Sequence, residues 1–276
     1  MAAVYYLDIE IYISVSTIFM SRDIWDPSTY SRYADERARP FFELIARIQA
    51  DQPDYVVDAG CGTGESTAEL TRRWPHATVE GFDSSPAMIA TARENVPEGR
   101  YTVADVTLWR PDRPVDVLVS NAVLHWVPTH RDLLAHWVEL LSPGGWLAFQ
   151  VPGNFAAPSH RLIRELCRSE RWRERLGDLD RPSPVDDPPA YLELMSGLGC
   201  RVDAWETTYT QVLQGEDAVL TWLTGTTLRP VLDRLTPQEQ QEYRTQLRDL
   251  LAEAYPAGEF GTVFPFRRVF VVAQVS

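Results

Sequence analysis

The sequence predicts an α/β protein: a doubly wound, mostly parallel sheet with helical cap insertions and an antiparallel last strand. Three observations carry this reading. Between Asp54 and Pro152, short apolar β-type runs alternate with helical segments, the order that builds a parallel sheet covered on both faces. The first run ends in a glycine-rich turn, VVDAGCGTGE, at 56–65. Beyond residue 155 the alternation stops, helical pattern dominates, and the chain closes on one more strand, FPFRRVFVV at 264–272.

The elements follow in order. Residues 25–50 read as lid helices after the Asp26-Pro27-Ser28 start signal, with Phe41, Phe42, Leu44, Ile45 and Ile48 on one face. Tyr55 to Val57 is a buried-type strand, Gly60, Gly62 and Gly64 make the turn, and Ser66 to Trp74 is a helix stopped by Pro75. Strand 77–83 leads to a helix over 85–95, with Ser85 as N-cap and Pro86 at the first position. Strands over 100–106 and 115–122 come next, then a helix from about Arg131 to Leu141. Ser142 to Gly145 reads as a turn into the strand WLAFQVP. Residues 155–190 and 215–258 form the helical cap, with a helix over 190–198 and a strand over 200–210 between them. The closing strand, 262–274, is expected to add beside its predecessor as an antiparallel edge.

Composition narrows the function. The chain has 276 residues and a formal net charge of −13, which disfavours nucleic acid as a partner because phosphate binding is driven by Lys and Arg. Three cysteines, none spaced CxxC, suit a reducing, cytoplasmic setting, and no cluster has metal-ligand spacing. Residues 1–20 are apolar in character, and over 7–16 Leu7, Ile9, Ile11, Ile13 and Val15 alternate with Asp8, Glu10, Tyr12, Ser14 and Ser16 in a strand-like pattern. They lack a basic leader segment, and Asp8 and Glu10 argue against a membrane span. The functional domain is expected to span 21–276, with 1–20 as an extension. The oligomeric state is left open.

The glycine turn is GxGxG, with neither the GxGxxG spacing of dinucleotide enzymes nor the Lys-Ser/Thr of a P-loop. Asp58, at the end of the first strand, suits a cationic ligand and would repel a pyrophosphate. Asp83 ends the second strand, where an acid reaches ribose hydroxyls in open α/β sheets. Asp105, after the third, suits an adenine amino group or a cap to its own turn. Acids without phosphate-binding cations describe a nucleoside site for S-adenosylmethionine.

On these residues the chain resembles the class I (Rossmann-like) SAM-dependent methyltransferases from Asp54 to Pro152. The resemblance implies a seven-stranded sheet with an antiparallel last strand. It implies cofactor contacts from Asp58, Gly60, Cys61, Gly62, Asp83 and Ser84, and from Met88, Asp105, Val106, Asn121 and Trp126. The blocks WDPSTYSRYADERARPFFELIARI, SNAVLHWVPTHRDLL, LLSPGGWLAFQVPGN, WLTGTTLRPVL and FPFRRVFVVA look like the trans-aconitate 2-methyltransferase family. That likeness implies methyl transfer to a carboxylate of a small tricarboxylate, with positioning rather than a catalytic side chain. No metal is expected.

A trianion in an acidic protein needs several arginines. Tyr30, Tyr33, Arg37, His125, Arg229 and Arg268 are the expected substrate contacts. Arg39 is an alternative solvated position. Arg267 and Arg268 are adjacent in a strand and must diverge, so at most one lines the site. The resemblance and the Phe266 and Phe270 flanks favour Arg268. Two other readings stay open: methylation of another small acid or a malonyl thioester, and a SAM-binding regulator without transfer.

Overall fold

The structure is a computed structural model and describes residues 34–179, 183–225 and 227–276. The extension over 1–20 with its alternation at 7–16, Tyr30 and Tyr33 lie outside the described residues. So does the side chain of Arg37, which falls in helix α1 (Ala34–Ala46).

The alternating part holds β1 (Tyr55–Ala59), α2 (Glu65–Arg73), β2 (Thr78–Asp83), α3 (Pro86–Asn95), β3 (Arg100–Val103), β4 (Val115–Asn121), α4 (His130–Glu139) and β5 (Leu141–Pro152). The rest holds α5 (Pro158–Arg168), α6 (Arg173–Leu176), α7 (Pro188–Gly197), β6 (Cys200–Leu213), α8 (Ala218–Thr224), α9 (Arg229–Leu232), α10 (Pro237–Ala254), β7 (Ala257–Gly258) and β8 (Gly261–Val275). Ser142 to Gly145 lies within β5 at a register shift opposite Val115 and Val117, so the expected turn is a bulge. The third strand stops at Val103, two residues short of Asp105.

The sheet has eight strands in the order β3-β2-β1-β4-β5-β8-β6, with the two-residue β7 pairing to β8. The pairs among β1 to β5 are parallel, and β8 runs antiparallel to both β5 and β6. The closing strand is therefore interior, not the edge the sequence reading expected. The physical reason is visible in the side chains. Val269 to Ala273 is a continuous buried run, as a strand with hydrogen bonds on both sides and helices on both faces requires. β6 instead alternates buried and exposed positions and carries Arg201, Asp203 and Glu206, a charge pattern that protects a true edge.

Two apolar cores flank the sheet. One face packs against Leu133, Leu134 and Trp137 of α4 and Tyr191 and Met195 of α7. The other packs against Phe41, Leu44 and Ile45 of α1 with Ile48 just beyond it, and against Leu70 of α2 with Trp74 at its C-cap. A third core lies in the cap, where Trp172, Trp222, Leu228, Tyr243 and Leu247 close over Leu213 and Phe264. β5 ends its pairing at Pro152 opposite Arg268, but β6 and β8 continue as a two-stranded ribbon to Leu213 and Thr262. The cap stands on that ribbon, above the sheet's C-terminal edge. Its longest helix, α10, starts on a capping box between Thr236 and Glu239 with Pro237 at the first position.

Helix α1 is tied to β6 through one carboxylate. Glu43 accepts hydrogen bonds from Trp205 Nε1 at 2.9 Å, Thr207 Oγ1 at 2.6 Å and the Tyr209 hydroxyl. Burial alone would raise its pKa, but the bonds from Thr207, Tyr209 and Trp205 and the charge of Arg47 outweigh that and hold it below the usual range. A depressed carboxylate pKa stabilises above the unfolded value, and that contribution is lost as pH falls through the folded one. Glu43→Leu is expected to lower the thermal midpoint at pH 7 by several degrees. The difference from wild type should shrink below about pH 4, read by thermal melts across pH.

Candidate active site

The strand order reverses between β1 and β4, and the C-terminal ends of these strands open the crevice where α/β sheets hold ligands. The glycine turn forms its floor. Gly60 has φ +81°, and a Cβ there would lie 2.2 Å from Val123 Cγ2. Its N–H and that of Cys61 both donate to the Phe82 carbonyl, at 2.8 and 3.0 Å, which staples the turn to the end of β2. Gly62 has φ +53°, and a Cβ there would meet nothing of the described residues within 4 Å, so among them this side of the loop is open.

Asp83 braces the loop from β2, accepting from the Gly62 N–H at 3.1 Å and the Ser85 N–H at 2.9 Å. Asp58 is 1% exposed and accepts from Thr67 Oγ1 at 2.8 Å. Burial raises its pKa to about 7; the Thr67 hydrogen bond eases this and the nearby Asp83 adds to it. A buried carboxylate beside a second acid is an incomplete pairing that a cation would complete. Cys61 is buried, and burial pushes its thiol pKa far up, so it contributes backbone and volume rather than a nucleophile.

The remaining expected cofactor positions divide. Met88 is buried in the first turn of α3, with its N–H on the Ser85 hydroxyl cap, and Ser84 is exposed beside it. Asp105 accepts from the Thr107 N–H at 2.8 Å and the Thr107 hydroxyl at 2.6 Å, so of its two expected roles the cap is the one in place. Val106 is buried in the α4-side core. Asn121 ends β4 with a buried Oδ1 that has no hydrogen-bond partner among the described residues. Ala122 follows at φ +58°, a left-handed conformation uncommon outside glycine. Trp126 is 39% exposed at the rim, its ring 4.7 Å from that of His125.

Where β5 stops, β8 presents its two arginines to opposite faces. Arg267 is fully engaged. It donates from Nε to Glu206 at 3.0 Å, from Nη2 to Asp187 at 2.7 Å and from Nη1 to the Gly153 carbonyl at 3.2 Å. Arg268 turns to the α1 face, is 7% exposed, and lies 4.3 Å over the Phe266 ring. Its register partner on β5 is Pro152, at the same C-terminal rim as the cofactor-side residues.

His125 stands near Arg268 and His160. Burial, then the charge of Arg268 and the neighbouring His160 and His130, lower the His125 pKa to about 3, so its imidazole is neutral. Its Nδ1 is buried without a partner among the described residues. His160 is held between the Ser159 hydroxyl at 3.2 Å and the Thr227 hydroxyl at 3.3 Å, and burial and Arg164 bring its pKa to about 4. The Phe155 ring lies between the two, 6.5 Å from His125 and 5.4 Å from His160. Arg229 opens α9 from the cap, and its Nη1 is also buried without a described partner. Arg39 is exposed, its guanidinium 5.0 Å over Tyr209.

Sequence reasoning missed His160, Gln150, Ala122 and Glu43. His160 lies 35 positions from His125 in no recognisable spacing, and an alanine at positive φ leaves no mark in the residue string. The mid-strand glutamine in WLAFQVP, amid otherwise apolar residues, was a legible signal. Among the described residues no group of three or more His, Cys, Asp or Glu is arranged to hold a metal.

A family model described as a methyltransferase domain matches residues 30–203. Among curated proteins, the trans-aconitate 2-methyltransferase of Rhodococcus jostii is 52% identical, with 92% of this chain and 100% of that protein covered. The enzyme of the same name from Streptomyces avermitilis is 52% identical over 91% and 96%, and that from Mycobacterium tuberculosis 48% over 92% and 97%. Among solved structures, the YcgJ protein of Bacillus subtilis aligns at TM-score 0.57 and 12% identity, covering 86% of this chain and 98% of that one. Geranyl diphosphate C-methyltransferase of Streptomyces coelicolor, solved with S-adenosyl-L-homocysteine, aligns at 0.52 and 16%, covering 93% and 89%. These two show the fold.

Proposed function

Because this chain belongs to the trans-aconitate 2-methyltransferase family of methyltransferase-domain proteins, we propose that it transfers a methyl group from S-adenosylmethionine to a carboxylate of trans-aconitate, releasing the monomethyl ester and S-adenosylhomocysteine. The observation that carries the substrate half is Arg268, a buried cation at the C-terminal rim of an acidic protein.

The crevice suits the cofactor. Its glycine turn has open space at Gly62, an acid on either side, and no Lys or Arg between Val56 and Thr71 to hold a phosphate. When bound, S-adenosylmethionine supplies a methyl group on a sulfonium, and a carboxylate oxygen displaces the sulfide as the new C–O bond forms. A carboxylate is already ionised at neutral pH, so no side chain has to remove a proton. The protein's task is alignment in a site shielded from water.

Asp58 and Asn121 offer acceptors to the cofactor's amino-acid end, and Asp83 offers one to its ribose while bracing Gly62. Arg268 and Arg229 hold carboxylates that do not react, since a guanidinium on the attacking oxygen would dull it. His125 and His160, both neutral, line the pocket without adding charge. Arg37, Tyr30 and Tyr33 complete the lid in this reading. Among the described residues no helix is long and apolar enough to cross a membrane. The three cysteines are buried thiols, in keeping with a reducing, cytoplasmic setting.

The test is incubation with methyl-labelled S-adenosylmethionine and a panel of aconitate isomers, citrate, isocitrate and a malonyl thioester. Base-labile label on trans-aconitate is expected. Label on another acid alone would replace the substrate, and cofactor binding without transfer would favour a regulator.

Asp58 adds a pH prediction. Its free-state pKa near 7 means protonation competes with a cationic ligand. The Kd for S-adenosylmethionine is expected to rise as pH falls from 7.5 to 5.5, approaching about tenfold per unit for one linked proton. Asp58→Asn should flatten that dependence, measured by calorimetric titration.

A further inference from the structure

We propose that Gln150 is a positioning residue for the reacting carboxylate, its side-chain amide donating a hydrogen bond to one oxygen so that the other meets the methyl group. Gln150 lies near the end of β5 and is 1% exposed, yet its Nε2 has no hydrogen-bond partner among the described residues. A buried amide left this way is costly, and native proteins keep few of them. The alternation of β5 puts Gln150 on the face of Trp146 and Ala148, which is the α1 side.

Its neighbours locate it between the two halves of the site. In register it pairs with Asn121 on β4, at the cofactor end, and with Phe270 on β8. Two residues on, Pro152 pairs with Arg268, at the anion end. The Gln150 carbonyl accepts the N–H of Ala122 at 2.9 Å, so the left-handed turn that ends β4 is fastened to this residue. Register thus sets Gln150 between Asn121, proposed for the cofactor, and Arg268, proposed for a carboxylate. A neutral donor suits the reacting carboxylate. It orients an oxygen while withdrawing less electron density than a guanidinium would.

This inference rests on the proposed carboxyl methylation, and wild-type protein in the same assay separates the two. If wild type methylates no carboxylic acid, the functional reading fails before Gln150 is in question. Given wild-type turnover, Gln150→Met, of similar volume and without polar atoms, is expected to lower kcat about 10- to 100-fold. It should leave the Kd for S-adenosylmethionine within about twofold and hold or raise the thermal midpoint, because a buried unpaired amide is removed.

Gln150→Glu adds a readout that a packing role would not move. Its carboxylate should repel the substrate at neutral pH, and its activity relative to wild type should recover as pH falls and the acid becomes a donor. A Gln150→Met protein with kcat and KM within about twofold of wild type would overturn the proposal. So would an equal loss in cofactor affinity and turnover. If the methionine variant does not fold, the glutamate pH profile decides, and a flat relative profile overturns it.

Discussion

Arg268→Met is expected to lower kcat/KM for trans-aconitate by about thirty- to a thousandfold, since losing a buried, charge-assisted anion contact costs roughly 2–4 kcal/mol. Most of the loss should appear in KM, and the Kd for S-adenosylmethionine should stay within about threefold. Arg268→Lys keeps the charge but not the planar fork and should fall between. The control is one residue away. Arg267 is committed to Glu206, Asp187 and the Gly153 carbonyl on the opposite face. Arg267→Met should cost stability instead, lowering the thermal midpoint by about 2–4 °C for the loss of partly exposed ion pairs. Its KM should change little. Steady-state kinetics on both variants check the assignment. A larger KM effect at 267 than at 268 would reverse it.

Gly60→Ala is expected to weaken S-adenosylmethionine binding by about a hundredfold or more and to lower the melting temperature by several degrees. Two costs add. The left-handed φ of +81° charges a Cβ-bearing residue about 1–2 kcal/mol. The new methyl group would also overlap Val123 Cγ2, 2.2 Å away, forcing the turn off β2. These costs can be separated. Adding Val123→Ala removes the overlap but not the conformational cost, so the double variant should recover about tenfold of the lost affinity. Gly62→Ala keeps the conformational cost of φ +53° but would strike no atom of the described residues. It should leave the melting temperature nearer to wild type while still impairing binding, because its methyl group would project into the crevice. Calorimetric titration with thermal melts reads all three.

The proposed cofactor half of the site could be read from the sequence because it is local. Asp58, Gly60, Gly62 and Asp83 lie within one strand–turn–helix–strand unit, so their spacing along the chain maps onto their spacing in space. Asp105 shows the limit even there. Two roles were compatible with its position, and only the Thr107 hydrogen bonds chose the cap. The interior place of β8 was half legible. The run VFVVA spoke for burial on both faces, but pairing between distant strands is not written in either strand alone.

The sequence by itself determined the α/β class, the cofactor crevice and the need for an anion site in an acidic chain, since each follows from periodicity, short spacing or net charge. Which groups would form the proposed anion site depends on tertiary structure. His125 and Arg268, two of the groups proposed for it, are 143 positions apart, and the return of β8 beside β5 brings Arg268 to the end of β5, with its charge close enough to bear on His125. Tertiary structure also gives the two arginines different surroundings, on which the proposal for Arg268 rests. Strand geometry sends them to opposite faces in any fold. Which face is the site follows from where β5 ends, where α1 packs, and where Glu206 and Asp187 stand to occupy the other.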